Sequence, residues 1–539
     1  MVDGGAPSSP FDLGRGFAAK ARRAWRRGPL AQARLEGPVP DRLAAVPPDP
    51  YPGDRATGER LLKGRFLGGA PASDPAAFWS AAADGAPGAD WAHGFSWLRD
   101  LKAMETDESG AARALVDAWI QRFGAWDDAA WSPETTAERL VSWLSAAPWL
   151  VGDGALFRSR LYAAIARQTR HLSECAADAA DGAALLSAAA ALAIAGVAVP
   201  QTKPAAERGF ALLRRELRLQ VLPDGGHASR NPLLACDVAV ALRRVVETCR
   251  AAGCETPQPL RHALDRIAAH VRFHTLPDGR LAIFNGGAEG EPAAVAYAAG
   301  EGEAAAAPFG FAGDSGYHRA AAARARLIVD GGAPPPAPYA AAAHASALSF
   351  TFASGRRRIF VNCGDGARTG GAWANALRTD EAHTAPIARF ADGPARWTRT
   401  TGRKRENRDG RWIDVEREGL AGGRLVFQTR RLFLSADGDD LRGEDAIETG
   451  EADLASYALR FHVHPAAKAV VCRDDRSALI TLDNQEAWRF KANAPLRIEE
   501  SVHSADGAEP RKTSQIVVDC ADIVADTVRW GVRKLDRAS

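Results

Sequence analysis

Apolar residues along this chain follow two rhythms, and the change between them falls near residue 310. From about residue 75 to 275 they recur at intervals of three and four, which places them on one face of an α-helix. Trp91, Phe95, Trp97, Leu98 and Leu101 form one such stripe, and Leu140, Val141, Trp143 and Leu144 form another. The second stripe follows Ser132-Pro133-Glu134, a helix start with a side-chain acceptor, a proline at the first helical position and an acid in the first turn. Tryptophans at helical spacing are expected in a shared core, although aromatic rings also stack on sugars. Ala183 to Val199 is apolar throughout, but it is rich in alanine and bounded by Asp181-Gly182 and Pro200, which predicts a buried helix and no membrane span.

Beyond residue 310 the period becomes two. Leu348-Ser349-Phe350-Thr351-Phe352 alternates apolar with polar, Arg358-Ile359-Phe360-Val361-Asn362 is a second β-rich run, and Ser354-Gly355 supplies the turn of an antiparallel hairpin. Within the helical half, Leu222-Pro223-Asp224-Gly225 recurs as Leu276-Pro277-Asp278-Gly279, each time after a segment rich in arginine and leucine. Repeated helix-loop units predict a solenoid or a closed toroid of helical hairpins. The expected domains are a basic lead-in over residues 1–74, helices over 75–285, an Ala-, Gly- and Glu-rich linker over 286–312 and a β-domain over 313–539.

At 539 residues, with 46% hydrophobic and 25% charged residues, the chain has the makeup of a large globular protein of two or three domains. A net charge of +2 excludes the strong basic bias of a nucleic-acid binder. Seven cysteines without paired CxxC spacing predict reduced, mostly buried thiols. No Gly-rich phosphate loop joins a strand to a helix, so no nucleotide cofactor is expected. The N-terminal segment lacks the apolar core of a secretory signal, which gives a cytoplasmic expectation. Its Lys20, Arg22, Arg23, Arg26 and Arg27, with Phe17 and Trp25, predict a basic helix that either packs Trp25 on the main body or touches anionic lipid.

Several short motifs stand in a telling order: Gly313-Asp314-Ser315-Gly316-Tyr317, then His344 ahead of Leu348-Ser349-Phe350, then Val361-Asn362-Cys363-Gly364, then Arg378-Thr379 and Ala382-His383-Thr384. Trp412-Ile413-Asp414-Val415, Arg430 to Leu434, Arg460 to Pro465 and Trp488-Arg489-Phe490 continue the series. Together they resemble the C-terminal domain of the bacterial heparinase II/III-like polysaccharide lyases, and the resemblance covers most of the chain from about residue 90 onward. It implies an N-terminal incomplete (α/α) toroid of helical hairpins followed by a C-terminal antiparallel β-sandwich, with substrate held in the cleft between them. It also implies β-elimination next to a uronic acid in an acidic polysaccharide. In that chemistry one group removes the proton α to the carboxylate, another neutralises the carboxylate and an acid protonates the leaving oxygen.

The resemblance places His344, Tyr317, His227 and Asn231 as catalytic candidates, with His227 or Tyr317 handling the proton and His344 and Asn231 assisting at the carboxylate. Arg230 and Arg378 suit an acidic sugar through bidentate guanidinium pairing, Asn285 adds an amide, and His383 is placed beside them. The chain departs from the family at several positions. Leu234 and Ala235 stand where a tyrosine and histidine are usual, Ala342 and Ser346 flank His344 where a histidine and an aspartate are usual, and the neutralising Asn expected near Asp181-Gly182 is missing. In several members the second histidine holds a structural zinc with a later aspartate and histidine. Here those positions are His344, Asn362 and His383, and a neutral amide is a poor zinc ligand, so a structural zinc has weak support and no other cofactor is expected.

Two functions follow from these residues. One is a lyase on a uronic-acid-containing polysaccharide, which in this family usually works in the periplasm or outside the cell. The other is a non-catalytic glycan-binding or scaffolding protein with a degenerate site. His462 and His464 share one face of a strand, which reads as structural. A glycoside hydrolase would need two placed carboxylates, and no convincing pair stands out.

Overall fold

The computed structural model describes residues 24–65, 74–82, 88–300, 308–366, 370–505, 510–520 and 527–535. It divides into two compact units, residues 1–217 with 241–261, and residues 218–240 with 262–539.

The first unit is helical. Pro133–Val151 begins where Ser132 caps it, the hydroxyl accepting from the Thr135 amide at 3.1 Å with Pro133 in the first turn. It packs against both Ala155–Cys175 and Ala183–Ala198. The expected aromatic stripes are core: Trp97, Trp119, Trp131 and Trp143 are all buried. Arg139 is buried among them. Its guanidinium lies 4.3 Å from the Trp119 ring centroid and donates to Gln168 Oε1 at 2.6 Å and to the His93 carbonyl at 2.9 Å, so its charge is met by a π face and two acceptors. Ala183–Ala198 is buried on nearly every side, and among the described residues no helix is long and apolar enough to cross a membrane. Of the basic lead-in, Phe17, Lys20, Arg22 and Arg23 lie outside the described residues. Trp25 is 47% exposed, while Arg26 pairs with Asp178 and Arg27 with Asp128. All seven cysteines are free thiols, five of them buried.

The second unit holds two antiparallel sheets. One runs Phe311–Ala312, Tyr317–Ala322, Ala325–Asp330, Phe350–Ser354, Arg357–Val361, Leu454–Val463, Arg511–Asp519, Leu496–His503, with Pro386–Phe390 also paired to Leu454–Val463. The other runs Ala467–Val471, Ser477–Leu482, Ala487–Ala492, Val528–Lys534, Asp440–Glu448, Arg424–Ser435, Gly410–Ala421, Arg396–Glu406. Alternation puts Phe350, Phe352 and Phe461 inward from the first sheet and Trp488, Phe490 and Trp530 inward from the second, so the sheets form a sandwich. Phe350 stacks on Trp530 at 5.7 Å, Phe352 meets Trp488 edge-on at 5.6 Å, and Phe461 meets Phe490 at 4.9 Å. The expected fold class, helical hairpins of an incomplete toroid followed by an antiparallel β-sandwich, is the one observed.

The repeated Leu-Pro-Asp-Gly element forms the same hairpin twice, with bridges Val221↔His227 and Thr275↔Leu281. Gly225 and Gly279 both sit at φ +84°, where other residues are strained. Each aspartate pins its hairpin to the sandwich. Asp224 accepts from the amides of Asp314 and Ser315 at 3.0 and 2.7 Å, and Asp278 accepts from Arg358 at 2.7 and 3.1 Å. Part of the stretch read as linker is helical: Pro292–Ala299 forms because Pro292 opens it and the alanines that follow favour helix.

Inside the sandwich, Arg430 and Asp445 pair with no exposure, Nε to Oδ1 at 2.7 Å and an amino group to Oδ2 at 3.1 Å. Trp530 Nε1 also donates to Asp445 at 2.7 Å, and Arg430 reaches the carbonyls of Leu348 and Thr384. Removing one member strands the other charge in an apolar core. Asp445→Ala is expected to lower unfolding stability by about 3–5 kcal/mol, measured by chemical denaturation, with Arg430→Met/Asp445→Leu recovering most of it.

Candidate functional site

The cluster is built around the turn Asn285-Gly286-Gly287. Asn285, at φ 48°, donates from Nδ2 to the Tyr317 hydroxyl at 2.9 Å and to Asp330 Oδ2 at 3.3 Å. The two glycines lie close to their neighbours: a Cβ on Gly286 would stand 2.9 Å from His344 Nε2, and one on Gly287 would stand 2.9 Å from Asn231 Oδ1. Six of the eight candidates therefore gather around this turn, namely Asn285, Tyr317, Arg230, Asn231, His344 and His383. Arg230 joins through Asp330, and His383 joins through His344, which it meets edge-on at 5.7 Å. His227 stands one step away, linked by Ser229, whose hydroxyl lies 2.7 Å from His227 Nδ1 and 3.2 Å from the Asn231 amide. Arg378 stands behind His344, its Nε donating to the Ala343 carbonyl at 3.2 Å.

Asp330, at the end of Ala325–Asp330, is the hub, although its sequence setting gives no sign of it beyond a carboxylate closing an apolar strand. It is fully buried, pairs with Arg230, and accepts from Ser346 Oγ at 2.6 Å and the Gly332 amide at 3.1 Å. Arg230, at φ 60°, also donates from Nε to the Ser315 carbonyl at 2.7 Å and lies 4.9 Å from the centre of the Tyr317 ring. Burial opposes its charge, and Asp330 with Tyr317 more than offsets this, so the guanidinium sits above its ordinary value. Tyr317 has no exposure. Its hydroxyl donates to the Arg230 carbonyl at 2.6 Å while accepting from Asn285, and burial followed by the Asp330 charge pushes its pKa well up.

Asn231 caps the helix Pro232–Ala251, its Oδ1 accepting from the amides of Leu233 and Leu234 at 2.9 and 3.3 Å. Asn362 is held at both ends, donating to the Ile283 carbonyl at 2.8 Å and accepting from the Thr384 amide at 2.9 Å. His383 turns Nδ1 to the Thr379 carbonyl at 2.8 Å. The trio His344, Asn362 and His383 therefore does not fit a zinc ion: its middle member is a neutral amide whose oxygen is already engaged. Asn285 Oδ1 is buried and has no hydrogen-bond partner among the described residues.

Burial lowers His227 to about 4, and burial, then His383 and Arg378, lower His344 to about 3. Both imidazoles are neutral at neutral pH. Because their folded pKa values lie below the unfolded value of about 6.5, the stability they contribute is whole above that value and is lost as pH falls toward 4. Other buried histidines share this behaviour, so a difference between variants isolates one of them. In denaturation at a series of pH values, His227→Gln is expected to reduce the acid-side slope by about 1.4 kcal/mol per pH unit. An unchanged slope would mean that His227 titrates normally in the folded chain.

A family model, the heparinase II/III-like C-terminal domain, matches residues 304–531. FtsZ-localized protein C of Caulobacter vibrioides is 30% identical over 96% of this chain and 95% of its own length. Among solved structures, heparinase III superposes with a TM-score of 0.63 at 14% identity, covering 82% of this chain and 76% of that one. A mutant of the heparan sulfate lyase HepC from Pedobacter heparinus superposes at 0.61 with 16% identity, covering 96% and 88%. At those identities the solved structures establish the fold, and the family rests on the matched domain and the full-length relative. The chain belongs to the heparinase II/III-like family, and FtsZ-localized protein C is a relative over nearly its full length.

Proposed function

We propose that this chain is a non-catalytic, scaffolding member of the heparinase II/III-like family that works in company with FtsZ. The observation that carries the reading is the closure of the Asp330 network. The arginine that would grip an acidic sugar pairs with a buried carboxylate, and the phenol that would move a proton is hydrogen-bonded on both sides within the protein. A catalytic acid or base needs a pKa near working pH and reach to the substrate, and Tyr317 is pushed far from that range with no exposure. His227, set between Ser229 Oγ and Gln220 Oε1, is likewise engaged. The full-length relative supplies the setting, since its name places it with FtsZ, and the cytoplasmic location expected from the sequence is kept as part of this proposal.

A second reading is favoured by one observation. The unpartnered Asn285 Oδ1 can accept a hydrogen bond from a sugar hydroxyl, and the neighbouring His344 and Asn231 are the cluster's more exposed members. In that reading an acidic polysaccharide binds, Arg230 exchanges Asp330 for a uronate, and β-elimination follows with Tyr317 or His227 moving the proton.

Two measurements separate the readings. Purified protein sedimented with FtsZ polymers is expected to enter the pellet in an FtsZ-dependent way, and it is expected to produce no ultraviolet-absorbing unsaturated uronide from a panel of acidic polysaccharides. A rise in absorbance that His344→Ala and Tyr317→Phe abolish would overturn the scaffolding reading in favour of the lyase.

A further inference from the structure

The loop that carries Asn285, Gly286 and Gly287 continues to Glu289, where a second polar cluster lies apart from the first. Glu289 is buried, as is His503 at the end of Leu496–His503, and His464, just past Leu454–Val463, is partly exposed. One ligand atom from each comes within 4.8 Å of the others. His503 Nε2 lies 3.2 Å and His464 Nε2 lies 3.8 Å from Glu289 Oε1. With metal–nitrogen bonds of about 2.0–2.1 Å, tetrahedral donors stand about 3.3 Å apart, so the separations already approach those of a ligand shell.

The charge balance also suits a cation. Arg358 contacts Glu289 Oε1 at 3.1 Å but pairs in bidentate fashion with Asp278, so one guanidinium serves two carboxylates and one negative charge is left over. Through its Oε1 the Glu289 carboxylate faces the Arg358 guanidinium and both imidazole Nε2 atoms. His503 Nδ1 is buried with no partner among the described residues, so no hydrogen bond on that side of the ring fixes its tautomer.

We infer that Glu289, His464 and His503 form a binding site for a zinc-like divalent cation, with solvent or a fourth ligand completing the shell on the His464 side. Two histidines and one carboxylate are a common zinc donor set. Arg358 then acts behind the first ligands, orienting the Glu289 carboxylate by hydrogen bonding. Loading requires both imidazoles to carry their protons on Nδ1, and His464 gives up its 3.2 Å contact from the Ala466 amide. The ion would tie the 285–289 loop to the ends of two strands. That loop is already anchored by the Glu289 amide, which donates to the Ala505 carbonyl at 2.6 Å. The metal thus positions the turn around which the Asn285 cluster is built, whether or not that cluster has a catalytic role.

The test uses the full-length chain, stripped with a chelator and titrated with zinc alone by calorimetry, with the metal content of the dialysed protein measured in parallel. About one zinc per chain is expected, together with a thermal midpoint that rises on zinc addition. Glu289→Gln and His464→Gln should lose both effects, while His344→Ala should keep them. His464→Gln alters a partly exposed residue, and its zinc-free melting curve shows whether it folds. Cobalt in place of zinc should give the intense visible bands of a tetrahedral site. The inference is overturned if the parent binds no zinc, if Glu289→Gln and His464→Gln bind it as the parent does, or if His344→Ala alone removes it.

Discussion

The second unit depends on one buried carboxylate. Asp330 has no exposure, and at its position an unpaired charge would carry a desolvation penalty of several kcal/mol. The fold meets this with two donors from distant parts of the chain, Arg230 from the first Leu-Pro-Asp-Gly hairpin and Asn285 from the loop after the second, and two nearer ones, the Gly332 amide and the Ser346 hydroxyl. The Asp330 backbone takes part as well, its amide donating to the Ser349 carbonyl and its carbonyl accepting from the Leu348 amide. Removing the carboxylate would release all of these segments together.

This arrangement has a functional consequence. A guanidinium can bind a uronate strongly only if it is free to do so, and Arg230 sits in a low-dielectric site beside a carboxylate that already satisfies it. Tyr317 is fixed by the same network, with its oxygen both donating and accepting. The heparinase fold is kept, with Asp224 and Asp278 docking the two hairpins on the sandwich and the polar groups at its centre hydrogen-bonded to one another.

Much of the architecture was legible because it rests on local rules. The change of period near residue 310, the capped helix at Ser132, the echo of Leu-Pro-Asp-Gly and the ordered β-motifs each reflect chemistry within a few residues. The neighbourhood of Asn285, Tyr317, Arg230 and His344 also followed from those motifs. Asp330 was not legible, because a carboxylate at the end of Leu327-Ile328-Val329 looks like any strand terminus until tertiary contacts name its partners. The same holds for Arg430 and Asp445, and for Glu289 with His464 and His503, which are separated by more of the chain than any spacing rule spans. Asn231-Pro232 carries two messages at once, a family site position and a helix start, and the backbone geometry here satisfies the second.

The central claim, that Arg230 is committed to Asp330, is tested most directly by a double-mutant cycle. Unfolding free energies would be measured for the parent chain, Arg230→Gln, Asp330→Asn and the double variant. Each single change is expected to cost about 3–5 kcal/mol by stranding its partner, and the double variant should be no less stable than either single one, a strongly non-additive result. Additive losses would contradict the account, because they would mean that the two residues act independently and that the Arg230 guanidinium is available to an acidic ligand.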